Sequence, residues 1–140
     1  MDAKKELIHK FYQNLGKLFY AIAAIDNNVR VEELNKLKEI VKKEWLTTNL
    51  IEDNLKENAE QSIINTFKWL HDNNEYNAEM CYCSFVAFKK NHESLFTSEM
   101  NVLILKTARV IAATFSKVNK SELMLLAKLD IELKKTNHEK

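Results

Sequence analysis

The near absence of glycine and proline is the feature that most constrains how this chain can fold. Its 140 residues include one Gly and no Pro, whereas average composition would place roughly ten Gly and seven Pro in a chain of this length. Tight hairpin turns, glycine-rich phosphate loops and proline-rich linkers all depend on these residues. The composition therefore predicts an all-α protein. The length is that of one domain, which can bury about two-thirds of its unfolded surface in one core.

Apolar residues recur every three or four positions along most of the chain, which is the pattern of amphipathic helices. We predict about six helices, over residues 4–25, 31–45, 59–71, 77–90, 97–115 and 120–135. Residues 46–58 are interpreted as a connection that holds a short helical turn, and 136–140 as a frayed tail. Gly16 lies inside the first helix, where it costs roughly 1 kcal/mol relative to Ala, and this predicts a close helix–helix crossing. Thr97 or Ser98 is expected to cap the fifth helix.

An internal repeat is the most informative feature of the sequence. Residues 22–40 and 111–129 align without a gap at an offset of 89, and seven of the nineteen aligned pairs are identical. The identical pairs are Ile22/Ile111, Ala23/Ala112, Ala24/Ala113, Val29/Val118, Glu33/Glu122, Leu34/Leu123 and Leu37/Leu126. We therefore predict two pseudo-repeated helical hairpins around one core, in a single domain over residues 1–140.

Helix-start chemistry accounts for part of this repeat. With Asn119 as N-cap, Glu122 is at the third helical position, and the two side chains can form a capping box. Val118 and Leu123 have the spacing of a hydrophobic staple. Arg30 replaces the capping Asn in the first copy, so only Glu33, the second residue of the capping box, is present there.

The residues around the first hairpin resemble those of a known family. The segment 21–41, AIAAIDNNVRVEELNKLKEIV, is similar to the signature of tellurite-resistance TerB-like domains. That signature is a small apolar helix end, then Ala-x-Asp, then Val-x-x-x-Glu at the start of the next helix. FKWL at 67–70 and NKSELMLLAKL at 119–129 also resemble segments of uncharacterised TerB-like proteins. The resemblance extends over about residues 7–133.

The TerB-like resemblance implies an all-helical fold with two pseudo-symmetric halves and a link to tellurite or other stress responses. It also implies a divalent-metal site, for which the matching carboxylates here are Asp26, Glu33 and Glu122. The chain departs from the family at two positions. Asn27 follows Asp26 where the family has Gly, and Phe115 is the second-half counterpart of Asp26, so a symmetric pair of acidic sites is absent.

Asp26 has two interpretations of its own. A carboxylate at a helix C-terminus opposes the helix dipole by a few tenths of a kcal/mol, so a nearby group should compensate it. The favoured interpretation is that it turns toward the free amides of the next helix. The alternative is an oxygen ligand for Ca²⁺ or Mg²⁺ beside Glu32 or Glu33. An EF-hand is excluded, because Val31 and Leu37 occupy positions that require Gly and Glu.

Charge and hydropathy exclude several classes of protein. The net charge is +1 with His neutral, and Lys alternates with Glu along most helices, so nucleic-acid binding is disfavoured. No apolar run approaches the roughly 18 residues of a membrane span, and the charged N-terminal segment is unlike a signal peptide. Cys81 and Cys83 have neither redox-pair nor zinc-knuckle spacing. We therefore expect a cytoplasmic protein with free thiols.

The sequence supports two hypotheses of function, and neither is catalytic. The chain lacks the motifs of nucleophilic serine, P-loop and Cys–His enzymes. The leading hypothesis is a binding or interaction module, with a protein partner or a homodimer, and the alternative is a divalent-metal-binding protein. Trp69 lies off the apolar stripe of its helix, and Tyr76 and Tyr82 flank the start of the fourth helix. These three aromatic residues are either the edge of a core wall, which we favour, or a partner surface.

Overall fold

All regular elements in the described part of the chain are helices. The computed structural model describes residues 3–25, 31–48, 51, 53–73, 77–115 and 120–135; within these ranges, the side chains of 3–5, 31, 33, 53–55, 115, 121, 122 and 135 are not described. The α-helices are α1 (Ala3–Ala24), α2 (Val31–Trp45), α3 (Asp53–Asn73), α4 (Ala78–Asn91), α5 (Ser98–Phe115) and α6 (Lys120–Lys135). A single 3-10 turn, Glu93–Leu95, connects α4 to α5. The predicted all-α fold class is confirmed.

The third helix is longer than its sequence pattern predicted. It begins at Asp53 rather than near Ala59, so the last six residues of the predicted connection at 46–58 are helical. Glu57 and Asn58 are exposed, whereas Ala59 and Ile63 are fully buried. The first turns of α3 therefore carry little of the apolar periodicity that marks a packed helix.

The first helix is the centre of the fold, because it packs against α3, α4, α5 and α6. Its buried side chains occupy nearly every position from Phe11 to Ala23. A helix that is apolar on most of its circumference must be covered from several directions, which is why α1 has neighbours on more than one side. Outside α1, α2 packs against α3 and α5, and α5 packs against α6.

Gly16 marks the close crossing of α1 and α3, as predicted. A Cβ atom built at this position would lie 2.8 Å from the Ile63 carbonyl oxygen and 2.8 Å from Thr66 Cβ. Neither atom belongs to the flexible end of a side chain. Glycine is therefore required here for the two backbones to approach, at a cost in helix propensity.

Capping and one buried amide hold the ends of the later helices. Asn77 Oδ1 accepts a hydrogen bond from the Met80 amide at 2.7 Å, and Thr97 Oγ1 accepts one from the Met100 amide at 3.1 Å, which confirms the cap predicted for α5. Asn101 Nδ2 donates to the carbonyl oxygens of Phe96 and Leu133, at 3.2 and 3.1 Å. The C-terminal turn of α6 is thereby tied to the start of α5.

Candidate binding groove between α4 and α6

A groove of about 510 Å³ separates α4 from α6 on the surface of the protein. From α4 it is lined by Tyr82, Cys83, Val86, Ala87 and Lys90. From α6 it is lined by Lys128, Ile131 and Glu132. Because most of these side chains are apolar and the two cationic ones are exposed, the groove is an apolar slot with lysines at its edges. We refer to these eight residues as the α4–α6 groove.

The position of α4 follows from a stripe of buried residues along one of its sides. These residues recur at helical spacing: Ala78, Cys81, Phe85 and Lys89. Tyr82 and Val86 lie beside the stripe and are half-buried, whereas Cys83 and Ala87 are exposed. The helix thus turns two half-buried residues and two small exposed ones toward the groove.

The position of α6 is set by leucines spaced four residues apart. Leu125, Leu129 and Leu133 are buried, and this spacing keeps them on one side of the helix. Ile131 lies away from them and is 61% exposed. Leu123 and Met124, nearer the start of α6, are also more than half exposed. The helix therefore leaves unburied much of the apolar surface that its sequence carries.

A buried ion pair connects the two helices. Lys89 Nζ donates to Glu132 Oε2 at 3.4 Å, and the side chains of these residues are 0% and 10% exposed. Removing two charges from water costs several kcal/mol per ion unless each finds a partner. The pair thus fixes the position of α4 relative to α6. The Glu132 carboxylate also forms part of the groove surface.

Tyr82 is the groove residue whose ionisation is most strongly changed by its surroundings. Burial, followed by the Glu132 carboxylate and the Cys83 thiolate, raises the pKa of the Tyr82 phenol to about 12. Each of these effects disfavours a negative charge at the phenol oxygen. Tyr82 is therefore a neutral hydroxyl at physiological pH, able to donate or accept a hydrogen bond at the edge of an apolar slot.

The two cysteines differ in exposure, and both are free thiols. Cys81 is buried against the core, and this burial raises the pKa of its thiol, opposed by a smaller lowering from Lys17. Cys83 is exposed and lines the groove. One thiol is therefore packed in the core and the other faces solvent.

The structure places the three aromatic residues of the predicted partner surface in different settings. Tyr82 lines the α4–α6 groove. Trp69 is on α3 and is 52% exposed, but it is not one of the groove residues. Tyr76 lies outside the described residues. Trp45 and Phe67 are fully buried, whereas Trp69, on the same helix as Phe67, is an exposed ring.

The predicted metal ligands lie where the structure gives no side-chain description. Asp26 is outside the described residues, and Glu33 and Glu122 are helical residues whose side chains are not described. Among the side chains that are described, no group of three His, Cys, Asp or Glu residues could hold a metal ion. The hypothesis of a carboxylate metal site therefore stays a prediction.

One serine–histidine contact lies on the surface between α1 and α3. Ser62 Oγ and His9 Nδ1 are 3.2 Å apart, and His9 borders a shallow depression with Glu6, Lys10 and Gln13. His9 is exposed and the contact is open to water. An activated serine works in a site that excludes water and aims donors at the developing oxyanion. This exposed contact is better explained as a surface hydrogen bond between α1 and α3.

Sequence reasoning missed the Lys89–Glu132 pair, although a signal for it exists. Lys89 continues the stripe of Cys81 and Phe85 at a spacing of four residues. Glu132 lies next to Leu133, three residues after Leu129. Charged residues of opposite sign at core-facing positions of two helices indicate a buried pair, since an unpaired charge there would be costly.

The chain was compared with known proteins at the level of sequence and structure. No family model, no curated protein and no solved structure matches the chain significantly. The TerB-like resemblance therefore rests on the quoted residues alone. Within the described ranges, none of the helices has both the length and the apolar character needed to cross a bilayer.

Proposed function

We propose that this protein is a non-catalytic binding module that docks an apolar segment of a partner protein in the α4–α6 groove. The observation that carries the proposal is the distribution of exposed apolar side chains. Six large hydrophobic residues are exposed among those described, and four of them are on α4 or α6: Met80, Leu123, Met124 and Ile131. Of these four, Ile131 lines the groove itself, and exposed apolar surface at a groove is typical of interaction sites.

The arrangement of α4 strengthens this proposal. Met80, Cys83 and Ala87 are exposed and spaced three and four residues apart, so they lie along one side of the helix. Small residues at positions 83 and 87 leave room for a partner's side chains. Tyr82 adds a neutral hydroxyl that can fix the orientation of the segment that binds.

The place of this module in the cell is a proposal that rests on the sequence. The TerB-like resemblance favours a cytoplasmic protein that acts in the response to tellurite or another stress. The partner is a different protein in this proposal, and a second copy of the chain is the alternative.

The test is a selection of helical peptides on the protein, followed by affinity measurements with groove variants. A displayed library of helical 16-residue segments would be enriched on the wild-type protein. Binding of enriched peptides would then be measured by fluorescence anisotropy with Ala87→Gln and Ile131→Gln. Both substitutions are neutral and at exposed positions, so the fold should be kept. Val102→Gln, at a residue 67% exposed on α5, is the matched control.

We expect at least about a tenfold loss of affinity for the two groove variants, equivalent to about 1.4 kcal/mol, and no change for Val102→Gln. Enriched peptides that bind all three variants equally would contradict the proposal, because their site would lie elsewhere.

The alternative function, divalent-metal binding by Asp26, Glu33 and Glu122, has a separate test. Thermal melts of chelator-stripped protein would be compared with and without Ca²⁺, Mg²⁺, Mn²⁺ or Zn²⁺, and repeated with Asp26→Asn. An ion at about 100 times its Kd adds about 2.7 kcal/mol, or several degrees in Tm for a domain of this size. A rise of this kind that Asp26→Asn abolishes would favour the metal function, and identical melts would reject it.

A further inference from the structure

The lysines at the edges of the groove indicate what kind of segment it binds. Lys90 on α4 and Lys128 on α6 are both exposed, so each of the two helices that line the groove contributes one lysine. Glu132, the one carboxylate among the groove residues, is buried and already paired with Lys89 at 3.4 Å. The surface that the groove presents to a partner is therefore apolar and cationic, although the net charge of the whole chain is only +1.

From this charge pattern we infer that the occupant is an amphipathic helix of a partner protein with acidic residues along both flanks of its apolar face. This inference rests on the proposed function, and it adds the chemistry of the partner. Acidic side chains on both flanks would meet Lys90 on one side and Lys128 on the other. Such complementarity sets the choice of partner and the rate of association more than it sets raw affinity.

The dimensions of the groove fit a helix. Tyr82 and Lys90 mark its extent along α4, and eight residues of helix correspond to about 12 Å, or about two turns. Two turns of a partner helix present apolar residues at i, i+3 or i+4, and i+7, which is the helix-in-groove mode of recognition. Both walls are helices whose backbone groups bond within the helix, so they offer no sheet edge to which an extended peptide could add.

A second copy of this chain is a poorer occupant by the same reasoning. Its exposed apolar stripe is on α6, at Leu123, Met124 and Ile131. Among the described side chains of α6, the exposed charged residues are Lys120, Lys128 and Lys134, the last of which pairs with Asp130 at 3.3 Å. Docking this stripe in the groove of another copy would place lysines against Lys90 and Lys128. Like charges that meet at an interface disfavour the complex.

The experiment uses three fluorescein-labelled helical peptides of 18 residues, each held helical by the same hydrocarbon staple. All three carry the same leucine face, and their flanking residues are Glu, Gln or Lys. Anisotropy would be measured with the wild-type protein, with Lys90→Gln/Lys128→Gln, and with the control Lys43→Gln/Lys68→Gln. The control lysines are exposed residues of α2 and α3 outside the groove.

We expect the Glu-flanked peptide to bind at least about tenfold more tightly than the Lys-flanked one, a ratio equivalent to about 1.4 kcal/mol. Lys90→Gln/Lys128→Gln should remove most of this difference, and the control should keep it. Added salt should weaken binding of the Glu-flanked peptide, because Lys90 and Lys128 are exposed and their charges are screened. Circular dichroism of each variant would confirm that its helices are intact.

The outcomes separate the failure of this inference from the failure of the proposed function. If the three peptides bind equally and Ala87→Gln still weakens all of them, the groove binds apolar helices without regard to charge, and the inference is wrong. If binding is indifferent to Ala87→Gln as well, the proposed function fails. If the protein instead self-associates in sedimentation experiments and Ile131→Gln abolishes this, a second copy is the occupant, and the acidic partner is rejected.

Discussion

The two helices of the sequence repeat, α2 and α6, begin with similar sequences and lie in different surroundings. Leu34 of α2 is 8% exposed, whereas Leu123, its aligned residue in α6, is 55% exposed. All the large apolar residues of α2 whose side chains are described are buried or half-buried, while Leu123, Met124 and Ile131 of α6 are exposed. A shared amphipathic pattern thus produces a helix in both places, but the neighbouring helices determine how much of its apolar surface is covered.

The two helices are also anchored by different interactions. At the C-terminal end of α2, Trp45 is fully buried and its Nε1 donates to Thr107 Oγ1 at 3.1 Å. Near the C-terminal end of α6, Glu132 pairs with Lys89 across the groove. An apolar anchor covers the helix that carries it, whereas an ion pair holds two helices together without filling the space between them. The buried leucines of α6 cover one side of that helix, and Ile131, away from them, is left exposed.

Trp45→Ala should have the largest effect on stability. The substitution empties a fully buried site, and changes of this kind cost about 3–5 kcal/mol. Trp45→Phe keeps much of the ring volume and loses the bond to Thr107, so part of the stability should return. Urea unfolding would measure both variants beside Ile131→Ala, at a residue 61% exposed. Equal losses of unfolding free energy for Trp45→Ala and Ile131→Ala would contradict the difference between the covered α2 and the partly open α6.

Lys89→Met should be nearly as damaging, because it leaves the Glu132 carboxylate buried without its cation. Breaking a buried pair from one side costs about 3–5 kcal/mol. Lys89→Met/Glu132→Leu removes both charges and should recover much of that loss. Chemical unfolding of the wild type, both single variants and the double variant completes a thermodynamic cycle. A double variant no more stable than Lys89→Met would show that the ion pair does not anchor α6.

Leu34→Ala and Leu123→Ala test the comparison at aligned positions. Leu34 is buried, so truncation should cost about 2–3 kcal/mol through lost burial and the cavity left behind. Leu123 is 55% exposed, and its truncation should stay within about 0.5 kcal/mol. Thermal melts of the two variants in the same buffer would give the difference. Equal destabilisation would mean that α6 is covered as fully as α2.

Much of the fold could be predicted from the sequence because its causes are local. The scarcity of Gly and Pro and the apolar periodicity fix the helices, and α2 and α6 have the predicted bounds. The crossing at Gly16 could be predicted because glycine inside a helix lowers its stability, and a close helix–helix approach is the usual compensation. The start of α3 could not be predicted, since residues 53–58 show little of that periodicity in the sequence.

The candidate site was only partly predictable. Tyr82 is one of the aromatic residues that the sequence offers around the start of the fourth helix, and it lines the groove. The groove itself depends on which helices fail to meet, and no local pattern encodes a gap between α4 and α6. Residues such as Ala87 and Ile131 have no distinctive chemistry, so only their placement beside one another gives them a role.

The smallest predicted effect is the change in stability when Tyr82 loses its proton. It tests whether the wall of the groove keeps water from the Tyr82 phenol. Its pKa in the folded protein is about 12, raised by burial, Glu132 and Cys83 in that order, whereas an unperturbed tyrosine has a pKa near 10. Because the folded pKa is the higher one, the neutral phenol contributes stability that is fully present below about pH 10. That contribution is lost as the pH rises toward 12. Solvent screening reduces this contribution to stability, since Tyr82 is only half-buried.

Tyr82→Phe isolates this effect, because the lysines that lose protons over the same pH range are common to both proteins. The phenolate absorbance of the wild type minus that of the variant should have its midpoint near pH 12. Cys83→Ser should lower the midpoint slightly, since it removes the smallest of the three causes. Between pH 10 and 12, the wild type should lose slightly more stability than Tyr82→Phe. A midpoint near 10 would mean that Tyr82 is solvated like a free side chain, and that the wall of the groove beside Glu132 is open to water.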